Sequence, residues 1–135
     1  MDKQSSPFVW EDVWVLRSVI GSLGMWGRGA TLETIVRTGD MINHAIFNYE
    51  ELNDGLSRLM EGGYVQEARR RFRVSPDVRR HFRSLSNLPD PLKDKRVLEF
   101  LIANRRHSQF NPTEIVPNCI IKPEDFEAAV KKYLG

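Results

Sequence analysis

Apolar residues recur at helical spacing along most of the chain. Val9, Val13, Leu16, Ile20 and Leu23 fall on one face of a helical wheel, which predicts a first amphipathic helix. Trp10 and Trp14 lie on an adjoining face. So wide an apolar surface belongs either to a helix central in the core or to one that also packs against a partner chain. Thr31 reads as the N-cap of a second helix, with Leu32, Ile35, Val36, Gly39 and Ile42 on one face and an end near Asn43. Thr34 stands where a full capping box would carry Glu or Gln. After a short turn over residues 44–47, Asn48 caps a third helix, with Glu50 and Glu51 in the first turn where the helix dipole favours acids. Its inward stripe is Tyr49, Leu52, Leu56, Leu59 and Met60, and Gly62-Gly63 ends it.

The period then changes. Tyr64-Val65 are strand formers, and Arg71-Phe72-Arg73-Val74 alternates polar with apolar, the pattern of a half-buried strand. Together they predict a β-hairpin, although it lacks the Asn-Gly or Asp-Gly turn such hairpins favour. A helical Gln66–Phe72 is the competing reading. Ser75-Pro76 supplies the N-cap and first position of a fourth helix, with Val78, Phe82 and Leu85 inward and Arg79, Arg80 and Arg83 outward. Leu88-Pro89-Asp90-Pro91 marks a break. Residues 95–106 have a mixed period, for which helix is preferred over buried strand. Residues 110–121 read as a loop with at most one short strand. Lys122-Pro123 opens a final helix, in which Phe126, Ala129, Val130 and Tyr133 share a face.

At 135 residues, with 41% hydrophobic and 28% charged residues, the chain suits one ordinary globular domain, or a small one with an appendage. No apolar run approaches the roughly 20 residues that span a bilayer, and the N-terminal stretch lacks the apolar core of a signal peptide, so no membrane partner is expected. Cys119 is the one cysteine; it excludes an internal disulfide and fits a reducing compartment, with the cytoplasm expected. The net charge of +2 conceals an uneven distribution: −4 over residues 1–63, +5 over 64–83 and +1 over 84–135. All seven bases of the middle block are arginines, the side chain best suited to forked bonds with phosphate or carboxylate.

Motifs for catalysis are missing. The glycine-rich run over residues 21–29 lacks a Gly-Lys-Ser/Thr ending and follows no strand, so it reads as a connector rather than a phosphate loop. His44, His81 and His107 are scattered, with no i, i+4 pair and no cysteine cluster, which argues against a metal site, and Cys119, between Asn118 and two isoleucines, reads as a buried inert thiol. No nucleophile elbow is present, and the acid pairs Glu11-Asp12 and Glu124-Asp125 read as first-turn acids that favour the helix dipole rather than as a catalytic pair. The expectation is a non-enzyme without cofactor.

Three helices, a hairpin and a further helix occur in the order of a winged helix-turn-helix domain. The run from Leu32 to Pro76, and above all ELNDGLSRLMEGGYV followed by RFRVSP, resembles that family in its MarR and PadR types. In these a third helix commonly ends in glycine before a Tyr/Leu-Val strand, and a second strand leads into another helix. The resemblance covers residues 9–85. It implies a mainly α fold with a small β-hairpin wing, and leaves residues 86–135 as an α-rich extension that packs on the first domain or forms a dimer interface. It further implies a transcriptional regulator of double-stranded DNA. Residues 48–61 would be the recognition helix, with Asn53, Ser57 and Arg58 facing bases, and Arg69, Arg70, Arg71 and Arg73 would lie on the wing against phosphates. The broad apolar first helix, together with the apolar last one, predicts a homodimer. One feature opposes DNA: Glu50, Glu51, Asp54 and Glu61 against Arg58 give the polar side of the third helix a net charge of −3, which phosphates repel. A winged-helix module that binds protein instead is therefore the alternative, and the arginines also read as a solvated surface or as partners of the acidic helix.

Overall fold

The protein is described by a computed structural model over residues 8–22, 29–103 and 120–135. Its helices are α1 (Trp10–Gly21), α2 (Leu32–Asn43), α3 (Tyr49–Glu61), α4 (Pro76–Ser84), α5 (Asp90–Ala103) and α6 (Pro123–Leu134). Between α3 and α4 lie strands β1 (Val65–Ala68) and β2 (Arg71–Val74), paired antiparallel. The fold is thus mainly α with a small two-stranded hairpin. Leu23, His107 and Cys119, with most of the glycine-rich run, lie outside the described residues.

The helix boundaries follow from capping chemistry. At the start of α2, Thr34 N–H donates to Thr31 Oγ1 and Thr31 N–H to Thr34 Oγ1 at 3.3 and 3.0 Å. A threonine therefore completes the reciprocal box that Glu or Gln usually closes. At α3, Glu51 N–H donates to Asn48 Oδ1 (2.7 Å) and Asn48 N–H to Glu51 Oε1 (2.9 Å), so Glu51 is a cap as well as a first-turn acid. The end of α3 is a Schellman turn. Tyr64 N–H reaches Leu59 O at 2.9 Å and Gly63 N–H reaches Met60 O at 3.0 Å, with Gly63 at φ 80°, where a side chain would be strained.

Helix α1 is central in the core, with most of its apolar surface covered by its own chain. Residues 12–16, 18 and 19 are buried, and α1 packs on α2, α3 and α5. Val9 is its N-cap and is exposed rather than part of the stripe. Most of the apolar surface of α1 is thus covered within one chain, while Trp10 at its start stays 42% exposed. Against α2, Trp14 Nε1 donates to Gly39 O at 2.9 Å while its ring stacks on Phe47 with centroids 3.8 Å apart.

The C-terminal third packs on this unit. Arg17 of α1 meets Asp94 and Asp90 of α5 at 2.8 and 3.4 Å. Val97 and Leu101 of α5, with Ile121, belong to the same buried cluster as α1–α4. Tyr64 donates its hydroxyl to Leu101 O at 2.8 Å, and burial holds that hydroxyl above its ordinary pKa, so it remains a neutral donor. On α2, Tyr133 of α6 donates to Asp40 Oδ2 at 2.7 Å and Lys132 pairs with Glu33 at 3.3 Å.

Where Phe47 of the α2–α3 turn packs on α2 there is little room at Gly39, since an added Cβ would lie 2.4 Å from Phe47 Cε2. Gly39→Ala is expected to lose about 1–3 kcal/mol through overpacking, despite the better helix propensity of alanine. Urea denaturation checks this, and a smaller side chain in Phe47→Leu is expected to recover part of the loss.

Candidate nucleic-acid interface

The hairpin brings the sequence-predicted arginines together. Val65 pairs with Val74, Gln66 with Arg73, Glu67 with Phe72 and Ala68 with Arg71. This leaves a two-residue turn of Arg69 and Arg70, at φ 54° and 66°. Positive φ at both central residues is what a type I′ turn requires and what Asn-Gly normally supplies. An arginine there costs roughly 1–2 kcal/mol in Cβ–carbonyl crowding. Three features offset that cost. Glu67 Oε2 accepts the Arg70 N–H at 2.8 Å. Phe72, Val65 and Val74 are buried beneath the strands. Ala30 and Phe72 exchange both backbone hydrogen bonds, at 2.7 and 2.9 Å, adding a single-residue third strand beside β2.

Arg71 and Arg73 share the outer face of the hairpin with Gln66 and Ala68. Beneath them lies Gly29 at φ 97°, where a Cβ would come within 3.0 Å of Arg71 Cβ and 3.2 Å of Arg73 Cγ. Arg71 Nη1 donates to Gly29 O at 3.3 Å, and Arg73 Nη2 to Gln66 Oε1 at 3.4 Å. The four hairpin arginines are exposed, as are Arg79, Arg80 and Arg83 on the solvent face of α4. Helix α5 steadies α4 through His81, stacked on Phe100 with centroids 4.2 Å apart. Among the described residues none of these seven arginines forms an ion pair, so they are not spent on the acids of α3.

Helix α3 departs from the expected arrangement. Asn53 does not face solvent: it is 3% exposed, and its Oδ1 accepts Ile120 N–H and Ile121 N–H at 2.9 and 3.0 Å. One turn earlier, Tyr49 donates its hydroxyl to Ile121 O at 2.6 Å. This flank of α3 therefore holds the chain leading into α6. Nor does Arg58 point outward for bases. Its Nε and Nη2 lie 2.8–3.1 Å from Asp12, whose side chain has no exposed surface. What remains outward on α3 is Glu50, Asp54, Ser57 and Glu61, spaced along one stripe. Only Ser57 of the three base-facing candidates lies there, between acids.

The roles of Asn53 and Asp12 left faint signals in the sequence. Asparagine is a poor residue for a helix interior unless its amide has a specific partner. Asp12 stands among Val13, Trp14 and Val15, where an acid is buried only with a counter-charge.

Comparison of the chain with family models, curated proteins and solved structures finds no match. Among the described residues no group of three His, Cys, Asp or Glu side chains is placed to hold a metal ion, and no helix is long and apolar enough to cross a membrane.

Burial raises the Asp12 carboxyl above its ordinary pKa, and the bonds from Arg58 and the Val9 amide oppose that rise. Arg58→Met is expected to cost about 3–5 kcal/mol near neutral pH, because it leaves a buried charge unpaired. Without Arg58 the folded-state pKa rises further, so the folded form gains from protonation. The deficit should be smallest near the ordinary carboxyl value of 3.8 and grow as pH rises through the elevated one. Denaturation of both proteins across pH 4–8 measures this.

Proposed function

We propose that the protein is a winged-helix DNA-binding protein, a cytoplasmic transcriptional regulator that meets double-stranded DNA chiefly through its arginine hairpin. The observation that carries the reading is the turn itself: two exposed arginines, without an ion pair among the described residues, held at positive φ where Asn-Gly would be relaxed. Backbone strain of this kind tends to cluster at functional sites. The element order supports the winged-helix reading, with Ala30 pairing on β2 between α1 and α2. Arg71 and Arg73 behind the turn, and Arg79, Arg80 and Arg83 beyond it, extend the basic surface along which a phosphate backbone is neutralised. Binding by guanidinium forks without base readout is sequence-tolerant, and it does not need α3 in the major groove.

A second reading has its own observation. The outward stripe of α3 is acidic, and Asn53 and Arg58 are occupied within the fold. A winged-helix module that binds a basic protein surface with α3 accounts for that stripe without DNA.

Fluorescence anisotropy with a mixed-sequence duplex over a salt series separates the two. The DNA reading expects binding that weakens with a log–log slope of several units, since each neutralised phosphate contributes about 0.9. The paired change Arg69→Asn with Arg70→Gly relaxes the turn and should raise stability by about 1–2 kcal/mol. The same variant should weaken DNA binding and lower the slope by about 1–2 units. A stabilised variant with unchanged binding, or no binding of the native protein at low salt, overturns the reading.

A further inference from the structure

A cavity of about 400 Å³ lies beneath the hairpin, bounded also by the start of α2 and by α6. The strand register puts Glu67 and Phe72 on the face of the hairpin opposite to Arg71 and Arg73, and both line this cavity. Its apolar wall is Leu32, Phe72, Ile120 and Ile121, and the small side chains of Ala128 and Ala129 on α6 leave the space open. Among the described residues five charged side chains line it as well. Three are engaged within the fold: Glu33 lies 3.3 Å from Lys132 and 3.5 Å from Arg37, and Glu67 accepts the Arg70 N–H at 2.8 Å. The other two are the half-buried carboxylate of Asp125, in the first turn of α6, and the guanidinium of Arg70, at the hairpin tip. Neither has a hydrogen-bond or ion-pair partner among the described residues. The cavity thus offers one uncompensated charge of each sign on separate walls, with apolar surface between them.

We infer that this cavity binds a small zwitterion with an apolar body: a free apolar amino acid or a dipeptide of such residues. The ligand carboxylate takes the fork of Arg70, the ammonium takes Asp125, and the apolar side chain covers Phe72 and Ile121. An anion alone would leave Asp125 unpaired and meet the three carboxylates of Glu33, Glu67 and Asp125. A cation alone would leave Arg70 unused. An uncharged apolar molecule would take both charges out of water without compensation. The assignment stands apart from the DNA reading: Arg70 is the one residue the two share, and the test below contains no duplex.

Isothermal titration with L-leucine and with leucyl-leucine, each up to about 10 mM, tests it. At least one should bind saturably, and the tighter of the two gives the length of the ligand. The N-acetylated form of that compound lacks the ammonium and its C-terminal amide lacks the carboxylate. Each should bind roughly tenfold more weakly than the parent. Asp125→Asn should weaken the parent roughly tenfold and leave the acetylated form unchanged, while Arg70→Gln should weaken the parent as much and leave the amide unchanged. Ala128→Leu should fill the cavity and abolish binding, with an unchanged circular dichroism spectrum because residue 128 is exposed. Absence of saturable binding by both compounds overturns the proposal. So does a blocked form that binds as tightly as its parent, or an affinity indifferent to any of the three substitutions.

Discussion

A carboxylate with no exposed surface, at the crossing of α1 and α3, governs how the helices are arranged. Asp12 accepts the Val9 amide at the start of α1 and the forked guanidinium of Arg58 from α3. The helices approach closely there because residue 55 is glycine; a Cβ would sit 2.8 Å from Val15 Cγ2 and 3.3 Å from Asp12 Oδ1. Removing such a charge from water is costly, and only a well-aligned partner compensates for it. The pair therefore tolerates one rotation of α3 about its axis. That rotation directs Leu52, Leu56 and Leu59 inward and leaves the stripe of Glu50, Asp54, Ser57 and Glu61 outward.

The distribution of surface charge follows. With Arg58 turned to Asp12, the exposed side of α3 has no compensating base, and the positive surface of this part of the chain lies on the hairpin and α4. The hairpin exposes arginine at its tip despite a backbone cost. Its turn is left-handed at two non-glycine residues, and its strand β2 is braced by Ala30. Gly29 lies under Arg71 and Arg73 at φ 97°, where a side chain would be strained and its Cβ would crowd their aliphatic stems at 3.0 and 3.2 Å. On the other flank, Asn53 and Tyr49 hold Ile120 and Ile121, so α6 is tied to α3 as well as to α2.

Features set by neighbours in sequence were legible. Thr31, Asn48 and Ser75-Pro76 announce helix starts, Gly62-Gly63 announces an end, and the alternation at Arg71–Val74 announces a strand. The arginine block was visible as charge alone. Features set by distant partners were not. Asparagine inside a helix hints that Asn53 has a partner, but nothing near it indicates that its side-chain oxygen accepts two backbone N–H groups from residues 67 and 68 positions away. The tie of Arg58 to Asp12 spans 46 positions, and without it the arginine reads as solvent-facing. The turn at Arg69-Arg70 was obscured for a different reason. Local preference there favours helix over left-handed backbone, and the pairing of Phe72 with both Glu67 and Ala30 overrides it. The breadth of α1 was seen, but whether its own chain or another would cover it depended on α5, whose position the sequence does not specify.

The central claim is that a duplex is met by the hairpin and α4 rather than by the outward stripe of α3. Amide chemical-shift mapping on addition of a short mixed-sequence duplex tests it most directly. The account predicts perturbation at Arg69–Arg73 and along the exposed side of α4, with Glu50, Asp54 and Ser57 unmoved. Shifts concentrated on α3 with a silent hairpin would contradict it.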